Sequence, residues 1–189
     1  MISRLANRLR GFAANHQGSV AAEFLAVSPV LLIMLFGVID IGNVLFTRFR
    51  LNAAVAAGTN YSIVRSADIG TDAAGSLASS VAKVVANASD TSGVSATIAV
   101  NNGPTATVTG GGTVSTTTTN AATTNGLCYC PTTSSDWGVK KTCGDGCSGG
   151  GLAGRFVRIT ASKAYKPLFA SYGIVRNGTI TATNLVQTE

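Results

Sequence analysis

The stretch that decides the fold runs from Gly18 to Asp40 and reads GSVAAEFLAVSPVLLIMLFGVID. Between Ser19 and Ile39 it contains 21 residues, of which only Glu23 is charged. A helix of that length is about 30 Å long, which matches the hydrocarbon core of a bilayer. The segment is too long and too uniformly apolar for an ordinary core helix of a soluble domain. It is therefore predicted to be a membrane-spanning helix.

Two features at the start of this segment predict more than an anchor. A short basic leader ends at Gly18, and Glu23 follows five residues later, where a charge is costly unless it has a partner. Cleavage after Gly18 would create an α-amino group on Ser19, one helical turn before Glu23. The amine and the carboxylate could then neutralise each other, within one subunit or between two. The positive end of the helix dipole also favours a carboxylate there.

The spacing Gly-x-x-x-x-Glu-Phe at the mouth of an apolar helix is the pattern of prepilin-peptidase substrates. The run from Gly18 to Leu32, with FGVIDIG at 36–42 after it, closely resembles the TadE-like family. Members of that family are pseudopilins, or minor pilins, of the tight-adherence (Tad/Flp, type IVc) pilus machinery. The segment YKPLF at 165–169 also resembles the C-terminal region of TadE-like proteins.

The resemblance implies processing between Gly18 and Ser19 and a role in assembly for Glu23 and Phe24. It implies four kinds of partner: the prepilin peptidase, other pilins and pseudopilins, the inner-membrane platform proteins of the pilus machine, and membrane lipid. Phe24 replaces the tyrosine of the major Flp pilins, and the head is far larger than theirs, so the principal filament subunit is excluded. Because Ser19 differs from the phenylalanine of type IVa pilins, N-methylation is left open.

The function expected from this resemblance is that of a minor pilin that takes part in assembly of a Tad/Flp pilus, in adhesion, surface attachment or a secretion-like machine. Two alternatives need the same anchor and head. One is a permanently membrane-anchored periplasmic interaction module. In the sequence, only Gly18 and Glu23 favour a minor pilin over such a module. The other is a pilus-tip adhesin, whose contact surface would be the Thr-rich tract and the loop of Trp137.

Charge and cysteine usage predict the orientation. The formal net charge is +6, and three of the positive charges are leader arginines, Arg4, Arg8 and Arg10. Arg48 and Arg50 follow the apolar segment, so the positive-inside bias is slight. The short leader and the downstream cysteines favour a single pass through the inner membrane, with the N-terminus cytoplasmic and the C-terminal domain periplasmic or extracellular. The basic residues form no large cluster, so nucleic-acid binding is not expected.

The chain is predicted to have three parts: a basic leader at 1–18, a transmembrane and extended helix at 19–67, and an extracytoplasmic α+β head at 68–189. Helical apolar spacing and a run of alanines predict that the first helix continues beyond the bilayer. Pro29 is expected to kink it about one turn upstream. Asp72 is expected to cap a second helix that ends near Ala88.

Alternation of apolar and polar residues predicts strands in the head. The predicted strands are Val94–Val100, Thr105–Thr109 as its hairpin partner across Asn-Asn-Gly-Pro, Arg155–Tyr165 and Ile174–Val186. The Gly/Thr-rich tract at 110–125 is left open between strand and loop. The expected fold is α+β and pilin-like, with a long N-terminal helix and a small antiparallel β-rich head that carries a disulfide-rich loop.

The four cysteines of the chain lie in one loop, at Cys128, Cys130, Cys143 and Cys147. Their even number and extracytoplasmic position predict two disulfides. A Cys128–Cys130 bridge would be strained, and the other two pairings remain open. A zinc site is the weaker alternative because the spacings are not those of familiar zinc motifs. Trp137, in the same loop, is predicted to be its packing anchor.

No catalytic constellation is visible in the sequence. The only histidine, His16, lies in the leader, which removes histidine-based triads and the commonest metal sites. The glycine runs at 110–112 and 149–151 lack the setting and the Lys-Ser/Thr ending of a phosphate-binding loop. We therefore expect neither enzymatic activity nor a cofactor or metal.

Overall fold

The computed structural model describes residues 19–89, 93–110, 112–117, 124, 126–132, 136–167, 175 and 178–188. The predicted leader with Gly18, much of the Thr-rich tract and Leu168-Phe169 lie outside the described residues. The chain divides into two compact units, of which the first ends at Gly42 and the second begins at Asn43.

Helix α1 spans Ser19–Val64 and contains Pro29. It ends three residues before the predicted Ala67, and a 3-10 helix at Ser66–Asp68 follows. The stretch from Val20 to Val64 is long and apolar enough to cross a membrane, judged by length and composition. The predicted long N-terminal apolar helix is thus confirmed.

Helix α2 spans Ala74–Ala88, and its start corrects one prediction. Asp72 does not cap the helix, because the N-cap position is Ala73 and carries no side-chain cap. The Thr71 hydroxyl organises the preceding turn instead. It accepts a hydrogen bond from the Ala73 N–H at 3.2 Å and donates one to the Asp68 carbonyl at 2.8 Å. Because the helix begins two residues after Asp72, the carboxylate lies one position too early to cap it.

The head contains a five-stranded antiparallel sheet in the order β3-β2-β1-β6-β7, and a separate two-stranded sheet of β4 and β5. The strands are β1 Val94–Val100, β2 Thr105–Val108, β3 Val114–Thr117, β4 Cys128–Cys130, β5 Val139–Lys141, β6 Phe156–Ala164 and β7 Thr179–Gln187. The α+β class and the antiparallel head are therefore confirmed. Strand β7 begins directly after Gly178, whose φ is +66°, and the predicted start at Ile174 lies outside the described residues.

The predicted hairpin between β1 and β2 is present, and its turn has a clear local cause. Asn101 and Asn102 have φ values of 47° and 55°, and the Gly103 N–H donates to the Val100 carbonyl at 2.9 Å. The Val100 N–H donates to the Pro104 carbonyl at 2.9 Å, so residues 101–103 form the loop, and asparagine tolerates the positive φ that this loop requires.

The core of the head lies between the two helices and one face of the large sheet. Its fully buried side chains from the sheet include Ile98, Val100, Val108, Val157 and Ile159, and those from the helices include Leu51, Leu77, Val81 and Val85. A smaller cluster lies on the opposite face of the sheet and joins Ala99 and Phe156 to Tyr129 and Trp137 of the cysteine loop. The sheet therefore carries the main core on one face and the smaller cluster on the other.

Candidate functional site

The first candidate site is the apolar surface of α1 between Val20 and Ile41, which we name the anchor surface. Its large side chains are exposed on all sides of the helix, from 76% for Val20 to 37% for Ile41. So many exposed apolar side chains on a soluble helix would be an aggregation hazard. In a membrane or a helix bundle the same side chains would meet lipid or neighbouring helices.

Three of the four predicted processing and assembly residues lie at the N-terminal end of this surface. Ser19 is the first described residue of α1, and Glu23 and Phe24 are both exposed, Phe24 at 67%. Glu23 follows Ser19 by four positions, which is about 6 Å along the helix axis. Gly18 lies outside the described residues. The roles assigned to these four residues stay predictions.

The C-terminal part of α1 packs tightly into the head at Gly58. A Cβ added to Gly58 would lie 2.6 Å from Val85 Cγ2 and 3.2 Å from Ile159 Cδ1. One turn later, the Ser62 hydroxyl donates to the Gly58 carbonyl at 2.8 Å. The position of Gly58 within a long helix does not by itself show which element it contacts. The structure gives it a contact with α2 and the sheet of the same head.

The second candidate site is the cysteine loop, which is closed by two disulfides, Cys128–Cys143 and Cys130–Cys147. This pairing is one of the two that the sequence left open, and its two rings overlap. Strand β4 presents Cys128 and Cys130, and β5 pairs beside it. All four sulfurs are bonded, so none of them is available as a thiolate ligand for zinc.

Trp137 is the packing anchor of the loop, as predicted. It is 8% exposed, and its ring makes an edge contact with Tyr129 at 5.9 Å between centroids. The guanidinium carbon of Arg158 lies 5.2 Å from the centre of the Trp137 ring, within the range of a cation–π contact. The loop is thus held to the sheet by aromatic packing as well as by covalent bridges.

A cleft of about 410 Å³ opens beside the Cys130–Cys147 bridge. Its walls are largely backbone and small side chains, including Gly138, Val139 and Gly149. Among the described residues of its wall, Lys141 is charged, and it donates from Nζ to the Gly146 carbonyl at 2.6 Å. Across the residues that the structure describes, no group of three histidine, cysteine or carboxylate side chains could hold a metal.

Comparison with known proteins finds a family match that includes the anchor surface. A family model described as "TadE-like protein" matches residues 18–59, which include Glu23, Phe24, the anchor surface and the buried Gly58. No curated protein and no solved structure matches the chain. The family suggests a non-enzymatic structural protein that works with other components of the Tad pilus, and the apolar helix fits a single-pass membrane anchor. Residues 18–59 of this chain are thus similar to the TadE-like family, which supports a TadE-like protein of the Tad pilus system.

Proposed function

We propose that this chain is a minor pilin, or pseudopilin, that a prepilin peptidase cleaves after Gly18 and that then takes part in assembly of a Tad/Flp pilus. The observation that carries the proposal is the family match, which begins at residue 18 and runs along the exposed apolar side chains of α1, Phe24 among them. In this proposal the protein acts as a structural subunit and not as an enzyme.

The division of labour proposed for the chain follows its three predicted parts. Residues 1–18 are the leader that the peptidase removes, 19–67 form the helix that is stored in the membrane, and 68–189 form the extracytoplasmic head. The leader lies in the cytoplasm and the helix crosses the inner membrane once. Two disulfides in the head suit an oxidising compartment such as the periplasm or the cell exterior.

Assembly in this proposal is an exchange of neighbours around the anchor surface. In the membrane its apolar side chains contact lipid, and in a filament they contact helices of other pilins and pseudopilins. Lipid tails are as apolar as these side chains, so the hydrophobic effect alone does not favour the filament. Close packing between helices and polar pairing decide whether the helix leaves the lipid. Glu23 supplies the polar pair by meeting the α-amino group of a processed subunit, and the exposed Phe24 supplies apolar contact.

The first test is the N-terminal residue of the protein recovered from membranes, measured by mass spectrometry. With an active prepilin peptidase, the mature chain is expected to begin at Ser19. With a catalytically dead peptidase, it is expected to begin at Met1, which controls for other proteases. A chain that begins at Met1 in both strains contradicts the proposal and favours a permanently anchored interaction module.

The second test separates processing from assembly. Glu23→Ala is expected to be cleaved normally but to enter filaments about tenfold less, because it leaves an amine without its carboxylate in surroundings poor in water. Glu23→Asp keeps the charge and is the matched control. The measurement is the amount of protein in sheared pili relative to the amount in the membrane. Unchanged incorporation of Glu23→Ala would contradict the charge pairing.

A further inference from the structure

Large apolar side chains continue along α1 after the anchor surface ends, and arginines now stand among them. Leu45 is 46% exposed, Phe46 is 56% exposed and Phe49 is 68% exposed. Arg48 is also exposed, and Arg50 is half-buried. We name these five residues, Leu45, Phe46, Arg48, Phe49 and Arg50, the collar.

The apolar part of the collar faces away from the core of the head. Val44 and Leu51, on either side of the collar in sequence, are buried members of that core. Each residue of a helix turns by about 100°, so Leu45, Phe46 and Phe49 lie within one sector of about 100° on the side opposite Leu51. We name these three side chains the apolar strip. Packing within the head therefore does not explain why they are large and apolar.

The two arginines border the apolar strip. The same helical geometry places Arg48 on one side of it and Arg50 on the other. The guanidinium carbon of Arg50 lies 4.3 Å from the centre of the Phe46 ring, which is a cation–π contact. Neither arginine forms an ion pair with any residue that the structure describes. A guanidinium carries five N–H donors, so both side chains can still bind an anion.

The direction of the side chains brings these donors toward the anchor surface. Side chains on a helix lean toward its N-terminus, and the contact of Arg50 with Phe46, one turn earlier, shows this lean. Arg48 follows Ile41 by seven positions, which is about 10 Å of helix. An arginine that reaches back by one turn, about 5 Å, therefore places its guanidinium about 5 Å beyond Ile41. The headgroup layer of a bilayer occupies about 5–8 Å on each side of the hydrocarbon core.

The chemistry of the collar fits a phospholipid better than a second helix. Helices that pack in membranes favour small residues at their contact, whereas the apolar strip consists of one leucine and two phenylalanines. Two collars in contact would also bring four arginines together. A phospholipid offers acyl carbons to the apolar strip and phosphate oxygens to the guanidinium groups, which bind phosphate bidentately. Arginines after the span also oppose the positive-inside rule in the proposed orientation, so topology does not explain them.

We propose that the collar binds phospholipids of net negative charge in the leaflet on the side of the head. Arg48 and Arg50 bind the phosphates, and the apolar strip contacts the upper part of the acyl chains. This binding fixes the depth of α1 while the protein is stored in the membrane. The inference rests on the proposed single-pass anchor, but it requires neither cleavage after Gly18 nor entry into a filament.

The test uses the full chain in nanodiscs that contain equal amounts of phosphatidylglycerol and phosphatidylcholine. Native mass spectrometry counts the lipids that stay on the protein after its release. Phosphatidylglycerol is expected to be enriched about tenfold, because each arginine near an anionic surface contributes about 1 kcal/mol. The double variant Arg48→Gln/Arg50→Gln is expected to retain both lipids equally. Arg65→Gln/Lys83→Gln removes two charges from exposed positions outside the collar and is expected to keep the enrichment.

Photocross-linking in the same nanodiscs identifies what the apolar strip contacts. A benzophenone side chain introduced in place of Phe49 is expected to form adducts with lipid, whereas one in place of Ile63, which is 47% exposed near the end of α1, is expected to form none. Three outcomes overturn the proposal: equal retention of the two lipids by the wild type, unchanged enrichment in the Arg48→Gln/Arg50→Gln variant, or cross-links from position 49 to a second copy of the chain. Neither measurement involves the peptidase or pili, so failure of the collar and failure of processing are distinguishable.

Discussion

Gly58→Leu is expected to lower the free energy of unfolding of the head by about 3 kcal/mol, because the site has no room for a side chain. Even a Cβ would lie 2.6 Å from Val85 Cγ2 and 3.3 Å from Val81 Cγ1. Both valines are fully buried on α2, and a β-branched side chain in a helix has one strongly preferred rotamer. Neither can turn away, so leucine forces α1 and α2 apart.

Thermal unfolding of the full chain in detergent measures this effect, and a midpoint lower by about 10 °C is expected for a unit of this size. Gly42→Leu is the matched control on the same helix, since a Cβ at Gly42 would meet nothing within 4 Å. Gly58→Ala is expected to destabilise the head less than Gly58→Leu does, because its one added carbon clashes less and a gain in helix propensity of about 1 kcal/mol offsets part of the steric cost. Equal melting of the Gly58→Leu and Gly42→Leu proteins would contradict the packing argument.

Because Gly58 leaves room for α2, the same helix α1 can carry the anchor surface and also pack into the core of the head. The family match reaches residue 59, so it includes this buried position as well as the anchor surface. Asn184 Nδ2 donates to Thr59 Oγ1 at 3.1 Å and adds a polar contact between the helix and β7. We expect a Gly58→Leu protein to be inserted and processed normally, but with a loosened head that proteases remove more readily.

A second large effect is expected in the cysteine loop, where Gly138→Ala should destabilise the loop by about 3 kcal/mol or more. Gly138 has a φ of +67°, a conformation that costs a residue with a Cβ roughly 1–2 kcal/mol. The added Cβ would also overlap the carbonyl oxygen of Cys130. That oxygen belongs to the backbone of β4, so no side-chain rotation relieves the clash. The pairing of Cys130 with Val139 must therefore open.

Trp137 reports this opening directly, because it is the only tryptophan in the chain and is 8% exposed. In Gly138→Ala its fluorescence is expected to shift to the red, and peptide mapping is expected to show less of the Cys130–Cys147 bridge. Gly149→Ala is the control from the same loop, since a Cβ there meets nothing within 4 Å and no positive φ is required. A native spectrum and native bridges in Gly138→Ala would refute the steric argument.

Local patterns predicted the elements of this fold well. Twenty-one residues with one charge are enough to indicate an apolar helix, and strict alternation is enough to indicate β1. The two asparagines of the β1–β2 turn predicted the hairpin because they tolerate positive φ. The error at Asp72 is also local. Asp is a good cap by type, but the helix begins at Ala74, so the N-cap position falls on Ala73, one residue after Asp72.

The sequence alone therefore determined the anchor, the family of its N-terminal segment, the α+β class and the number of disulfides. These properties depend on residues close together in the chain. Tertiary structure decided which cysteines pair, that Gly58 contacts α2, and that Ser and Thr from five strands share the outer face of the large sheet. Those features depend on strand order and register, and a slip of one residue would turn every hydroxyl of a strand toward the core. They arise from contacts between distant segments, which no local pattern encodes.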